Sequence, residues 1–158
     1  MSMVKYFFDI NNSALARSLF ATTMIGKDAA FMAYCGQFPV IHLNFGPCRG
    51  SDWRTMFRCL RNVICLAYDS HKYLLHDGTL DRVEHQRFED IRLGADAADY
   101  LSAVARLTEL LERRHKKRVI VLIDEYDKPV NEAYECGYDK EALPFLISAF
   151  TGALKDTK

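Results

Sequence analysis

A chain of 158 residues is the size of one domain, and 49% hydrophobic with 27% charged residues is the balance of an ordinary globular protein. The formal net charge is zero, so no global field recruits nucleic acid or an anionic membrane, and direct nucleic-acid binding is not expected. No apolar run approaches the ~20 residues that span a bilayer, and the opening MSMVKYFFDINN lacks the apolar core of a signal peptide, so a soluble cytoplasmic protein with no membrane partner is expected.

Met1 to Asp9 is apolar on most sides and predicts a buried helix, and SALARSLFAT (Ser13 to Thr22) predicts a short one. FPVIHLNF, Phe38 to Phe45, predicts a strand entered through Pro39 and ended by Gly46-Pro47. Ser51 is placed to cap a long helix. In it Trp53, Met56, Phe57, Leu60, Val63, Ile64 and Ala67 recur at three- and four-residue steps as one apolar stripe. Thr79 to Leu93 predicts a further helix stopped by Gly94. Asp96 is placed to cap the next, with Leu101, Val104, Leu107 and Leu111 facing inward and Arg113 to Arg118 closing it. Val119 to Ile123 is the clearest strand, followed by a polar turn with Gly137. A last helix is predicted from about Asp139 to Lys155.

The chain thus reads as α/β, helix-rich, with two apolar strands separated by a long helical stretch. Continuous apolar strands suit a parallel sheet covered on both faces, and a helical crossover is the expected link between them. Two parallel strands alone are a poor free-standing core. The purified chain is therefore expected to associate or stay partly molten.

VIVLI, Val119 to Ile123, runs directly into Asp124-Glu125-Tyr126-Asp127. Ligands of parallel α/β sheets bind at the carboxyl ends of strands. A run of aliphatics ending in Asp-Glu has the form of a Walker B segment. Asp124 is then the candidate Mg²⁺ ligand and Glu125 the candidate base for a water attacking the γ-phosphate of ATP. Asp127 could support either or cap the turn. The plainer reading is a core strand that leaves the interior through an acidic turn. A nucleotide site also needs G-x-x-x-x-G-K-[ST] between a strand and a helix. The only Gly-Lys pair is Gly26-Lys27, where Ala21 replaces the first glycine, Asp28 replaces Ser/Thr and no strand precedes. It is rejected as a phosphate loop.

KYFFDI, YCGQFPVIHLNF, HKYLL, VIVLIDEYDKPVNEAY and FLISAFTGALKD follow one another in this order. That series resembles the AAA-ATPase-like domain that often precedes a PD-(D/E)XK nuclease-like domain. The resemblance covers nearly the whole chain and is most specific in IDEYDKPVNEAY. It implies a P-loop NTPase, a three-layer domain with a parallel sheet, of which residues 1–158 would be the central part. By the same resemblance the phosphate loop would fall just upstream of Met1 and the sensor strand beyond Lys158. The nuclease-like domain, a possible partner in the same parent chain, would come later still. It gives Asp124 and Glu125 the Walker B roles, with Mg²⁺ and ATP as cofactors of the complete parent and neither bound by this segment alone. Tyr126 and Asp127 complete the family's DEYD. Pro144 departs from the helix formers usual at its position. The alternative is a truncated or degenerate, non-catalytic module that binds no nucleotide.

Other features have plainer explanations. Arg113 to Arg118 is a solvated helix end before it is a nucleic-acid patch. His71 and His76, near Asp69 and Asp77, are spaced five apart and miss the alignment of a helical metal pair, so solvated helix-end histidines are expected. His42 and Asn44 lie near the end of the first strand, and either could face the site. Tyr6, Phe7, Phe8, Cys59 and Cys65 read as core. The five cysteines, with no CxxC pair, read as reduced thiols.

Overall fold

Apolar periodicity and capping side chains place most of the chain in helices, and among the described residues there is one sheet, of two strands. This computed structural model describes residues 2–154. They divide into two units: one takes the chain up to His42 together with Leu111–Leu122, the other Leu43–Leu110 and the chain from Ile123 on.

In the first unit, α1 (Ser2–Phe8) and α2 (Ser13–Phe20) pack through Phe7, whose ring meets Phe8 and Phe20 edge-on at 5.0 and 5.1 Å. Phe7, Ala16, Phe20 and Cys35 form its core. α1 is not the buried helix its composition predicts. Met3, Val4 and Tyr6 are exposed, because a seven-residue helix has one face to offer and Phe7 occupies it. Gly26-Lys27 lies in a 3-10 turn after α2, and Asp28 caps the short α3 (Ala29–Met32) through the N–H groups of Ala30 and Phe31. Asp9 is buried and its carboxylate accepts from the Asn11 N–H and the Asn12 side-chain amide. It also makes an isolated parallel bridge with Phe38.

In the second unit, α4 (Trp53–Ser70) buries the predicted stripe at Met56, Leu60, Val63, Ile64 and Ala67. Its cap is Asp52 rather than Ser51. The Asp52 carboxylate accepts from the Thr55 N–H at 2.9 Å and the Thr55 hydroxyl at 3.1 Å, and those bonds hold its pKa below the usual carboxylate range. His71 ends α4 and is buried, not solvated, while His76 is exposed. α5 (Arg82–Arg92) opens on a reciprocal capping box between Asp81 and Glu84 and ends near Gly94 at φ 76°. Asp96 does not cap α6 (Ala103–His115); it stays outside and pairs with Arg61. Leu101 is likewise outside the helix and exposed, whereas Val104, Leu107 and Leu111 are buried. Tyr68 ties α4 to α6 by donating to the Ala103 carbonyl at 2.8 Å.

β1 (Val40–Asn44) and β2 (Ile120–Asp124) are adjacent and parallel. The Ile120 N–H donates to Pro39 at one end and the Phe45 N–H to Asp124 at the other, each at 3.0 Å. β1 is buried at Val40, Ile41 and Leu43. β2, whose continuous apolar run suits a strand covered on both faces, is half-buried along its whole length. Among the described residues β1 is its sole strand neighbour, so its other edge has no strand along it. The expected polar turn after β2 is instead helix α7 (Asp127–Cys136), ended by Gly137 at φ 76°. α8 (Asp139–Leu154) runs through Pro144. The predicted end at Lys155 lies outside the described residues. No described helix is long and apolar enough to cross a membrane.

Candidate functional site at the strand ends

Asp124 is the last residue of β2, half-buried, and its carbonyl closes the sheet against Phe45. The next residue, Glu125, is exposed and adopts φ 53°. That left-handed backbone is unfavourable for a glutamate, and it turns the chain sharply from strand to helix. The Lys128 N–H returns to the Glu125 carbonyl at 3.1 Å, and α7 follows.

The Glu125 carboxylate lies near Lys128 and Gly46. Its Oε2 is 3.4 Å from the Lys128 ammonium. Its Oε1 faces Gly46, where a Cβ would stand 3.3 Å away. Gly46 is set by Asn44, the last residue of β1, whose side-chain oxygen accepts the Gly46 N–H at 2.9 Å. Of the two first-strand candidates, Asn44 therefore lies at this place, while His42 is half-buried within the strand. Tyr126 and Asp127 are both exposed. Asp127 falls in the first turn of α7, where a negative charge is favourable.

The loop after β1 is fixed by α7 and the residue following its cap. Glu132 accepts the Gly50 N–H at 3.1 Å and lies 3.8 Å from the Arg49 guanidinium. Tyr138 donates to the Gly50 carbonyl at 2.8 Å. Burial, and then the negative charge of Glu132, push the Tyr138 hydroxyl up to about 12. Arg49 donates to the carbonyls of Gly46 and Cys48. Burial pushes the Cys48 thiol up, and Cys59 beside it adds to the effect. Sequence reasoning missed Gly46, Arg49, Lys128 and Glu132. The three-residue step from Glu125 to Lys128 is the one signal that could have found a member of the set.

Among the described residues no group of three or more His, Cys, Asp or Glu is placed to hold a metal. Mg²⁺ does not require one. It is commonly held by one or two carboxylates with water and phosphate oxygens completing the shell. The adjacent Asp124 and Glu125, one half-buried and one exposed, fit that demand.

The chain is helix-rich α/β, and the second of its two parallel strands ends in two adjacent carboxylates. All 158 residues match the model of a family described as predicted AAA-ATPase, and the chain belongs to that AAA-ATPase-like family. No curated protein and no solved structure matches it.

Proposed function

We propose that the carboxyl ends of β1 and β2 form the metal-holding side of an ATP site. The observation that supports this is the exit of Asp124 and Glu125 from the carboxyl end of a parallel strand, with Glu125 set against Gly46. Asp124 would hold Mg²⁺, and Glu125 would orient a water and accept its proton, with Asp127 supporting Asp124. Mg²⁺, when bound, neutralises charge on the β- and γ-phosphates. The 158 residues contain no glycine-rich phosphate loop of the required form, so this segment contributes the metal side and ATP binding needs a loop from outside it. In the complete parent, ATP binding or hydrolysis would be coupled to a PD-(D/E)XK nuclease-like domain, as the sequence resemblance implies.

A Mn²⁺ titration followed by electron paramagnetic resonance tests the metal role. Asp124→Asn is expected to weaken binding about ten-fold or more, in line with the loss of a metal-site group. Binding indifferent to Asp124→Asn overturns the assignment. Calorimetry of the 158-residue chain with Mg²⁺ and ATP is expected to show no saturable binding. Micromolar affinity would overturn the half-site reading.

One observation favours a second reading, a non-catalytic interaction module. An open apolar cleft is lined by Ile123, Tyr126, Val130, Leu143, Ile147 and Phe150. In that reading neither Asp124→Asn nor Glu125→Gln alters what the domain does.

A further inference from the structure

We propose that β2 is an interface between two copies of this chain. Its outer edge pairs with the same edge of a second copy, antiparallel and about a two-fold axis at Val121, so that the two sheets become one. The pairing is independent of the metal reading above.

The backbone decides which residues serve that edge. The Ile120 N–H donates to the Pro39 carbonyl, and the Asp124 carbonyl accepts from the Phe45 N–H. In a parallel ladder alternate residues of a strand serve the same neighbour, so Ile120, Leu122 and Asp124 face β1. Val119, Val121 and Ile123 then turn their N–H and C=O groups to the other edge, along which no described strand lies. The Val119 N–H donates to the Glu112 carboxylate at 3.4 Å, a long bond that pairing would replace. Edge strands are normally blunted by a charge or a proline. Val119 to Ile123 carries neither.

The strand is also complementary to itself. Lys117 and Arg118 precede the aliphatic run, and Asp124 and Glu125 follow it. Lys117, Arg118 and Glu125 are exposed and Asp124 is half-buried. An antiparallel copy centred on Val121 sets Arg118 opposite Asp124, Val119 opposite Ile123 and Ile120 opposite Leu122. Edge-serving residues must meet edge-serving residues, so the neighbouring registers have their axis at Ile120 or Leu122. The first lays Arg118 against Leu122, and the second lays Asp124 against Ile120. The Val121 register alone matches aliphatic with aliphatic and base with acid. The two-fold axis makes every such pair twice. Whatever these charges touch within their own copy, across the axis they fix register more than affinity.

A single strand edge is a small interface, so association is expected to depend on concentration. Sedimentation equilibrium of the 158-residue chain in metal-free buffer should show monomer and dimer. Arg118→Glu sets acid against Asp124, and Asp124→Lys sets base against Arg118. Each alone should weaken the dimer about ten-fold or more, since like charges directly opposite destabilise a strand pair. In an equal mixture of the two variants every cross-copy pair is again one acid and one base. Association should then return to within about three-fold of wild type. Recovery of this kind can come only from contact between copies. A second measurement needs no variant. Ile120 and Leu122 form a non-hydrogen-bonded pair across the axis, with Cα atoms about 4.5 Å apart. Wild type mixed from isotope-labelled and unlabelled copies should therefore show an Hα–Hα contact between these residues of different copies. A dimer without that contact overturns the proposal. So does a mixture that associates no better than either folded variant alone, or a dimer that both variants leave intact. Wild type that stays monomeric at about 1 mM leaves the edge to a strand from outside residues 1–158, and that also overturns it.

Discussion

A Cβ on Gly46 would stand 3.3 Å from the carboxyl carbon of Glu125, so the loop after the first strand and the turn after the second occupy adjoining space. The nearest atoms, the Glu125 carboxylate and the Asn44 amide oxygen, are ends of flexible side chains and can move aside. Gly46→Ala should therefore change stability by less than about 1 kcal/mol, since a relieved unfolded-state entropy offsets the crowding. It should nonetheless displace Glu125 and weaken Mn²⁺ binding. A thermal melt beside a Mn²⁺ titration checks both halves.

Glu132 is the acceptor for the Gly50 N–H, at the far end of the same loop. Glu132→Ala leaves that donor without its acceptor and should lower stability by roughly 1.5–3 kcal/mol, as for a hydrogen bond to a charged group. Glu132→Gln retains an oxygen acceptor and should lose less than about 1 kcal/mol, because a neutral bond is weaker. Denaturant midpoints of the two variants give the comparison. Equal losses would show that the charge, not the acceptor, holds the loop.

Tyr100 and Tyr138 are each pushed up to about 12, chiefly by burial. A folded-state value above the unfolded value of about 10 means that the unfolded chain releases these protons first. Their contribution is fully present below pH 10 and is lost as the pH rises through 12. Stability measured by urea unfolding should fall across this window. Tyr138→Phe should flatten the fall, although at neutral pH it also removes the bond to the Gly50 carbonyl.

Ile147 is 64% exposed on the rim of the apolar cleft beside α7 and α8. The half-buried β2 adds further uncovered apolar surface. Self-association through such surface is expected. Ile147→Lys should reduce it while changing stability by less than about 0.5 kcal/mol, because the side chain is outside the core. Sedimentation velocity at two concentrations distinguishes the variant from wild type.

Both strands were legible because a run of aliphatics is a strong signal, and α4 because its stripe holds for several turns. Burial of β2 was not. It depends on what lies along the strand, which its own composition does not encode. Helix α7 was hidden because Pro129 reads as a breaker and only Pro129 and Ala133 are buried along it. Pro129 sits in the first turn, where a missing N–H goes unnoticed. Ser51 and Asp52 are both good caps, and sequence alone could not choose between neighbours. Asp124 and Glu125 were legible as acidic residues at the end of the strand. Lys128 was not, because its approach to Glu125 follows from a left-handed turn that a glutamate does not advertise.

Glutamate at φ 53° carries a backbone strain of roughly 1–2 kcal/mol that asparagine tolerates better. Losing the half-exposed pair with Lys128 gives back no more than about 1 kcal/mol. Glu125→Asn should then melt slightly above the parent. In a random library screened for heat tolerance alone, position 125 is where the chain would shed its acidic group early, and the hardiest survivors would be those without the proposed base.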